Sequence, residues 1–198
     1  MMVKVSQETL EVFEETGAYL KGHFRLTSGL HSGEYLQCAL VLQYPAHAEA
    51  LGRLLAAELR TKLGREVGLV VSPALGGLII GHEVARALGA RFLFTERDAA
   101  TKQMALRRGF TVTPGEAAVV IEDVITTGGS THDVVEVLCA AGAEVVGAGS
   151  IIDRSGGQAE VGVPRVALAT LHVAVYQPEE CPQCRAGIPV VKPGSRPA

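Results

Sequence analysis

From Val67 to Leu171 the chain alternates apolar runs of strand length with segments of helical periodicity, and this rhythm leaves few folds open. Val67–Val71, Arg91–Thr95, Ala117–Ile121, Glu144–Ile152 and Val166–Leu171 read as strands, and Leu78–Leu88 and Thr131–Ala141 as helices. Strands that are apolar throughout have no face suited to water. They belong in a largely parallel sheet covered by helices on both sides, an α/β fold. Such sheets bind ligands beyond the carboxyl ends of their strands. Ser72–Gly77, Glu122–Ser130 and Asp153–Gly157 each follow one of these strands, so all three are expected on one rim as a composite site.

Upstream, Gln7–Thr16 carries Leu10 and Phe13 on one side of a Glu-rich segment that stops at Gly17, which predicts a short amphipathic helix. Pro45 opens a second helix with Leu51, Leu54, Leu55 and Leu59 as its apolar stripe, and Gly64 closes it. A length of 198 residues suits one domain. The net charge of −3, from 21 acidic and 18 basic residues, provides no global basic field for a nucleic-acid backbone. No apolar stretch approaches the roughly 20 residues that a membrane-crossing helix needs.

Cysteines at 38, 139, 181 and 184, with no charged-then-apolar leader ahead of them, predict a cytoplasmic protein without a disulfide framework. Cys181-x-x-Cys184 supplies two of the four ligands that a structural zinc normally takes, so free thiols are expected there, with zinc shared between two tails of a dimer as the alternative. The six histidines lack H-E-x-x-H spacing and receive no role.

The segment with most chemistry is Val119–Thr131, VVIEDVITTGGST. An apolar strand runs into two acids, then two Thr, two Gly and a Ser before a helix. Gly128 and Gly129 let the backbone approach a phosphate while the hydroxyls of Thr126, Thr127 and Ser130 donate to it, and the helix start adds N–H groups and its dipole. Glu122 and Asp123 would repel an anion but accept hydrogen bonds from a ribose diol, and they would favour a transition state that places positive charge on the sugar. An ordinary strand-to-helix turn with a Gly-rich cap is the plainer alternative. The segment lacks the Lys of a phosphate-binding Walker loop and the G-x-G-x-x-G of a dinucleotide site.

Val119–Thr131 closely resembles the phosphoribosyl pyrophosphate (PRPP) signature of type I phosphoribosyltransferases. FRLTSGLHSGEYL (Phe24–Leu36), the pair Asp153–Arg154 and the tail CPQC…KPGS resemble the orotate phosphoribosyltransferase family in particular, so the likeness runs nearly the whole chain. It implies the type I fold, a central mostly parallel sheet with helices on both faces. Residues 1–40 would form an N-terminal hood and residues 177–198 a Pro-rich tail. The implied reaction joins orotate to the phosphoribosyl group of PRPP, giving orotidine 5′-monophosphate and pyrophosphate in pyrimidine synthesis. Mg²⁺ would be held mainly through PRPP and water rather than by direct protein ligands.

Carried onto this chain, the resemblance puts the ribose hydroxyls on Glu122 and Asp123, the 5′-phosphate on Thr126–Ser130, and pyrophosphate on the SPALGG loop through Ser72, Ala74, Gly76 and Gly77. Arg97 and Lys102 would add PRPP contacts. Orotate would meet Thr27, Ser28, Gly29, Tyr35, Thr126 and Arg154, the last as an arginine fork on a planar carboxylate. Each has a plainer reading: a helix cap for SPALGG, a Ser/Gly turn between two short strands for Thr27–Gly29, a surface ion pair with Asp153 or another acid for Arg154.

The chain departs from the family where many relatives carry Lys: Thr27 and Gly76 replace two of them, and ERDAATKQMALRRGF (Glu96–Phe110) replaces a K-x-H-G-like run. Lys102 is then the catalytic lysine, with Arg107 or Arg108 for the histidine. Glu96–Gly109 as a whole is expected to be a mobile, positively charged loop that reaches the neighbouring site of a homodimer, or else a solvated basic surface. Rival readings are a purine phosphoribosyltransferase and a non-catalytic PRPP-sensing regulator.

Overall fold

A computed structural model of the chain describes residues 2–26 and 28–193. Helix α1 (Met2–Glu15) is followed by strands β1 (Tyr19–Arg25) and β2 (His31–Leu36), then by helices α2 (Cys38–Leu42) and α3 (Pro45–Leu63). The α/β alternation then begins with β3 (Leu69–Pro73), α4 (Gly77–Leu88), β4 (Arg91–Arg97) and a short β5 (Met104–Leu106). It continues with β6 (Ala117–Ile125), α5 (Gly129–Ala140), β7 (Glu144–Asp153) and β8 (Arg165–Thr170). The tail holds β9 (Val175–Tyr176) and one helical turn, α6 (Pro182–Arg185).

The main sheet has the order β5-β4-β3-β6-β7-β8, parallel throughout except for β5, which returns antiparallel along β4. Side-chain alternation along the central strands explains why both faces need cover. Val70 of β3 and Val119 and Ile121 of β6 join an apolar cluster with Phe13, Val41, Leu51, Leu55, Leu59, Ile80 and Val84, from the first four helices. Their neighbours Leu69, Val71, Ala118 and Val120 point the other way, onto Val134, Val135 and Leu138 of α5. Full burial of side chains such as Leu55, Ile80 and Ile121 stabilises the fold by about 1.5–3 kcal/mol each. The helix ends follow the sequence: Pro45 begins α3, Gly64 ends it at φ 61°, and Gly17 follows α1 at φ 65°.

Three expectations change. The segment from Glu96 to Gly109 is a hairpin closed onto the sheet edge, with its charges paired. Arg108 meets Glu96 at 2.8 Å, Arg107 meets Asp98, Arg97 meets Asp133 at 2.8 Å, and Lys102 Nζ donates to the Ala99 carbonyl at 2.6 Å. Strand β6 runs four residues beyond Ile121, so Glu122 and Asp123 belong to the strand and not to the turn after it.

The tail also differs. β1, β2 and β9 form a separate antiparallel sheet, and Val191 is bonded to β1 through Arg25 N–H to Val191 O and Val191 N–H to His23 O, each 2.8 Å. This brings Cys181 and Cys184 against His23 and His31, a four-donor set within one chain that the spacing of the cysteines alone does not reveal.

Candidate active site

The parallel registers of β3, β6 and β7 put the ends of these strands on one rim, where the three turns expected from the sequence meet. Glu122 is buried, and desolvation, then the neighbouring Asp123, pushes its carboxyl well above the usual carboxylate range. Asp123 lies half-buried beside it and accepts a hydrogen bond from Val124 N–H at 2.8 Å. Neither acid has an Arg, Lys or His partner among the described residues. Cys38, which the sequence gave no role, is fully buried close to this pair, and burial with the two carboxylates holds its thiol protonated.

The SPALGG turn touches the acids. A Cβ placed on Gly76 would lie 2.8 Å from both oxygens of Asp123, so only a residue without a side chain lets this turn pack so closely. Ala74 N–H donates to Thr95 O at 2.8 Å, and the Ala74–Leu75 peptide is cis. Ser72 is placed differently from the expectation. It belongs to β3, and its hydroxyl is buried against Gly81 without a hydrogen-bond partner, so Ala74, Gly76 and Gly77 are the part of the motif that reaches the rim.

After β6, Thr126, Thr127, Gly129 and Ser130 are exposed, and Gly128 takes φ 86° to cap α5 without any side-chain hydrogen bond. The first N–H groups of a 12-residue helix therefore face the rim with no side-chain acceptor. Gly128 is also tightly enclosed, since an added Cβ would come within 3.0 Å of Glu160 O and 2.9 Å of Val161 Cγ1.

Arg154 leaves β7 beside this turn, its N–H donating to Ile125 O at 2.8 Å. Its guanidinium makes no ion pair among the described residues, because Asp153 is engaged elsewhere, with Arg165 at 2.5 Å and with Ser155. The ion-pair alternative for Arg154 is thereby replaced. Burial draws its pKa below the ordinary value, and the Tyr35 phenol opposes that shift. Tyr35 in turn is raised by burial, an effect Arg154 opposes and Asp123 reinforces. Tyr35 thus lies within electrostatic reach of both Arg154 and Asp123, which brings β2 of the small sheet to the rim. Ser28 and Gly29 form the exposed turn between β1 and β2, and Thr27 lies outside the described residues.

Arg97 and Lys102 line a shallow cavity of about 440 Å³ with Gln103, Met104, Asp133 and Glu136; Arg97 ends β4 two residues past Thr95, which accepts from Ala74 N–H, and it pairs with Asp133 of α5.

Comparison with known proteins gives a consistent picture. Residues 40–166 match the model of a family described as "Phosphoribosyl transferase domain". The chain is 53% identical over 189 residues to the orotate phosphoribosyltransferase of Pelotomaculum thermopropionicum, covering 96% of this chain and 97% of that protein. It is 52% identical over 186 residues to the enzyme of the same name from Thermotoga petrophila, covering 94% and 97%. Among solved structures, orotate phosphoribosyltransferase from Aeropyrum pernix superimposes with a TM-score of 0.63 at 28% identity, covering 81% of this chain and 92% of that one.

Proposed function

We propose, for a chain that belongs to the phosphoribosyltransferase family, that its reaction is transfer of the 5-phosphoribosyl group of PRPP to orotate, giving orotidine 5′-monophosphate and pyrophosphate. The observation that carries this reading is Arg154, a partly buried guanidinium without an anionic partner, standing one residue past the strand pair that flanks the uncapped start of α5. A partly buried arginine fork with no acid partner among the described residues suits a planar carboxylate on the base, while the helix start beside it suits the 5′-phosphate.

The chemistry follows from the rim. The pyrimidine nitrogen forms a bond to ribose C1′ and gives up its proton as the bond from C1′ to the pyrophosphate oxygen breaks, the proton leaving to pyrophosphate or water, and positive charge builds on the sugar. Glu122 and Asp123 accept hydrogen bonds from the ribose hydroxyls, and the negative charge carried by the pair stabilises that cation more than it stabilises the neutral sugar. Backbone N–H groups around Ala74–Gly77 receive the leaving pyrophosphate. Tyr35 and the Ser28–Gly29 turn cover the base and limit water.

A divalent cation fits here, because two carboxylates without a cationic partner among the described residues stand beside a phosphate-receiving turn. Mg²⁺ travelling with PRPP would supply charge neutralisation on the pyrophosphate. Lys102 and Arg97 are assigned to the site of a neighbouring subunit in a homodimer, in keeping with their side-chain contacts to Ala99 and Asp133 rather than to Glu122, Asp123 or Arg154. A cytoplasmic location agrees with the de novo pyrimidine pathway, and among the described residues no helix is long and apolar enough to cross a membrane.

The test is orotate consumption followed by ultraviolet absorbance with PRPP and Mg²⁺, beside adenine, xanthine and uracil. Orotate should be consumed, and Asp123→Asn should lower kcat/KM about 10²–10³-fold. Turnover of a purine instead would move the chain to a purine-specific role. PRPP binding without turnover of any base would make it a regulator.

A further inference from the structure

The tail after Leu171 contributes no residue to either apolar cluster, and Ile188, Val190 and Val191 within it are exposed. Yet the tail holds a fixed path across the small sheet and ends in backbone hydrogen bonds to β1. Two strand partners and a single helical turn are a thin basis for such order in a segment without a core of its own.

At the point of contact, four donor atoms from three places in the sequence converge. They are His23 Nε2 of β1, His31 Nδ1 of β2, and the sulfurs of Cys181 and Cys184 at either end of a Cys-Pro-Gln-Cys turn. All four lie within 4.8 Å of one another, and His23, His31 and Cys181 are buried while Cys184 is exposed. The nitrogens are 2.9 Å apart, and the resolved nitrogen-to-sulfur edges are 3.2, 3.4 and 3.6 Å. A tetrahedral zinc with ordinary bond lengths has edges of about 3.3 Å between nitrogens and about 3.6 Å between nitrogen and sulfur. These four edges need an adjustment of only a few tenths of an ångström, and the other two, which lie within 4.8 Å, need only contract toward the same tetrahedron.

The surroundings orient the ligands. His23 Nδ1–H donates to the Ile188 carbonyl at 2.7 Å, which leaves the Nε2 lone pair facing the cluster, the arrangement by which a backbone carbonyl fixes the tautomer of a metal-binding histidine. Gln183, between the cysteines, donates to Gly22 O at 2.7 Å and fixes the turn over β1. Pro182 opens the turn, and Arg185 N–H returns to Cys181 O at 3.1 Å.

We propose that His23, His31, Cys181 and Cys184 bind one zinc ion as a closed Cys₂His₂ structural site that staples the C-terminal tail to the small sheet. Two thiolates and two imidazoles in a compact tetrahedron select Zn²⁺ over hard cations such as Mg²⁺, and with all four positions taken by protein the ion has no place for substrate. The site is separate in residues and in role from the rim that carries the proposed transfer.

The test uses the full-length protein without a histidine tag, purified from cells grown with zinc. Elemental analysis should find about one zinc per chain, and Cys184→Ser, which alters the exposed ligand, should lower that to below about 0.1. Replacing the metal with Co²⁺ should give the intense visible bands of a tetrahedral ion with a thiolate charge-transfer band in the near ultraviolet. Chelation should speed tryptic cleavage at Arg185 by at least about tenfold. Folded wild-type protein that keeps no metal after exposure to excess Zn²⁺, or that leaves Co²⁺ with the pale spectrum of an octahedral ion, would overturn the proposal, as would an intact mass showing a Cys181–Cys184 disulfide. Metal content and spectrum are read without substrate, so their failure is distinct from failure of orotate turnover.

Discussion

At the scale of single residues, the rim is a set of groups held in costly states. Glu122 is an acid whose burial and whose neighbour Asp123 both resist ionisation. Its folded pKa lies above the unfolded value, so the folded state binds the proton more tightly, and stability falls as pH rises from the unfolded pKa of about 4.3 toward the folded one. Glu122→Gln removes that cost, and the ligand-free protein should melt about 2–5 °C higher at neutral pH while losing transfer activity. A melting curve at pH 5 and pH 8 checks the sign, because the gap between variant and parent should widen at the higher pH. Arg154 makes the opposite trade. No acid among the described residues depends on it, so Arg154→Ala should leave Tm within about 2 °C of the parent but raise the KM for orotate about 10–100-fold. A fall in Tm larger than that would mean that the side chain holds the fold together.

At the scale of elements, the turn between β6 and α5 depends on backbone that other residues cannot supply. Gly128 combines φ 86° with walls at 2.9 and 3.0 Å from a notional Cβ. Gly128→Ala should cost about 2–3 kcal/mol in urea denaturation and weaken PRPP binding in the same protein, since the turn and the helix start move together. Gly76 has a related role: the SPALGG turn reaches Asp123 because nothing projects from it, and a longer residue at this position would require Asp123 to move. The hairpin β4–β5 shows what sequence pattern misses. Its cations suggest an open basic loop, but Asp98 and Glu96 lie at the separations in sequence that let Arg107 and Arg108 fold back onto them. Ion pairs across a hairpin turn depend on where the strand doubles back, and three-residue β5 carries too little periodicity to announce it.

At the scale of the whole molecule, the assignment of Lys102 to a partner's site is a statement about assembly. If Lys102 serves the site of a partner subunit, Lys102→Ala and Asp123→Asn variants, each inactive alone, should recover activity when mixed and allowed to exchange subunits. Random exchange yields half heterodimers with one intact site each, or about 25% of the parent activity. No recovery, with heterodimers demonstrated by mass, would return Lys102 to its own chain's site or remove it from the chemistry. The small sheet belongs to this scale too. It places Tyr35 within electrostatic reach of Arg154 and Asp123, and its β1 strand is bonded to the tail at Val191.

The sequence by itself determined the α/β alternation, the ends of α3, the shared rim and the acids and glycines of Val119–Thr131, because these are local patterns of apolar period and turn chemistry. Only the tertiary structure decided that Ser72 turns inward to Gly81, that Asp153 takes Arg165 and leaves Arg154 unpaired, and that two histidines complete a set begun by Cys181 and Cys184. His23 and Cys181 are 158 residues apart and share no periodicity. Their meeting depends on strand pairing and chain reversal, which no local run of residues encodes.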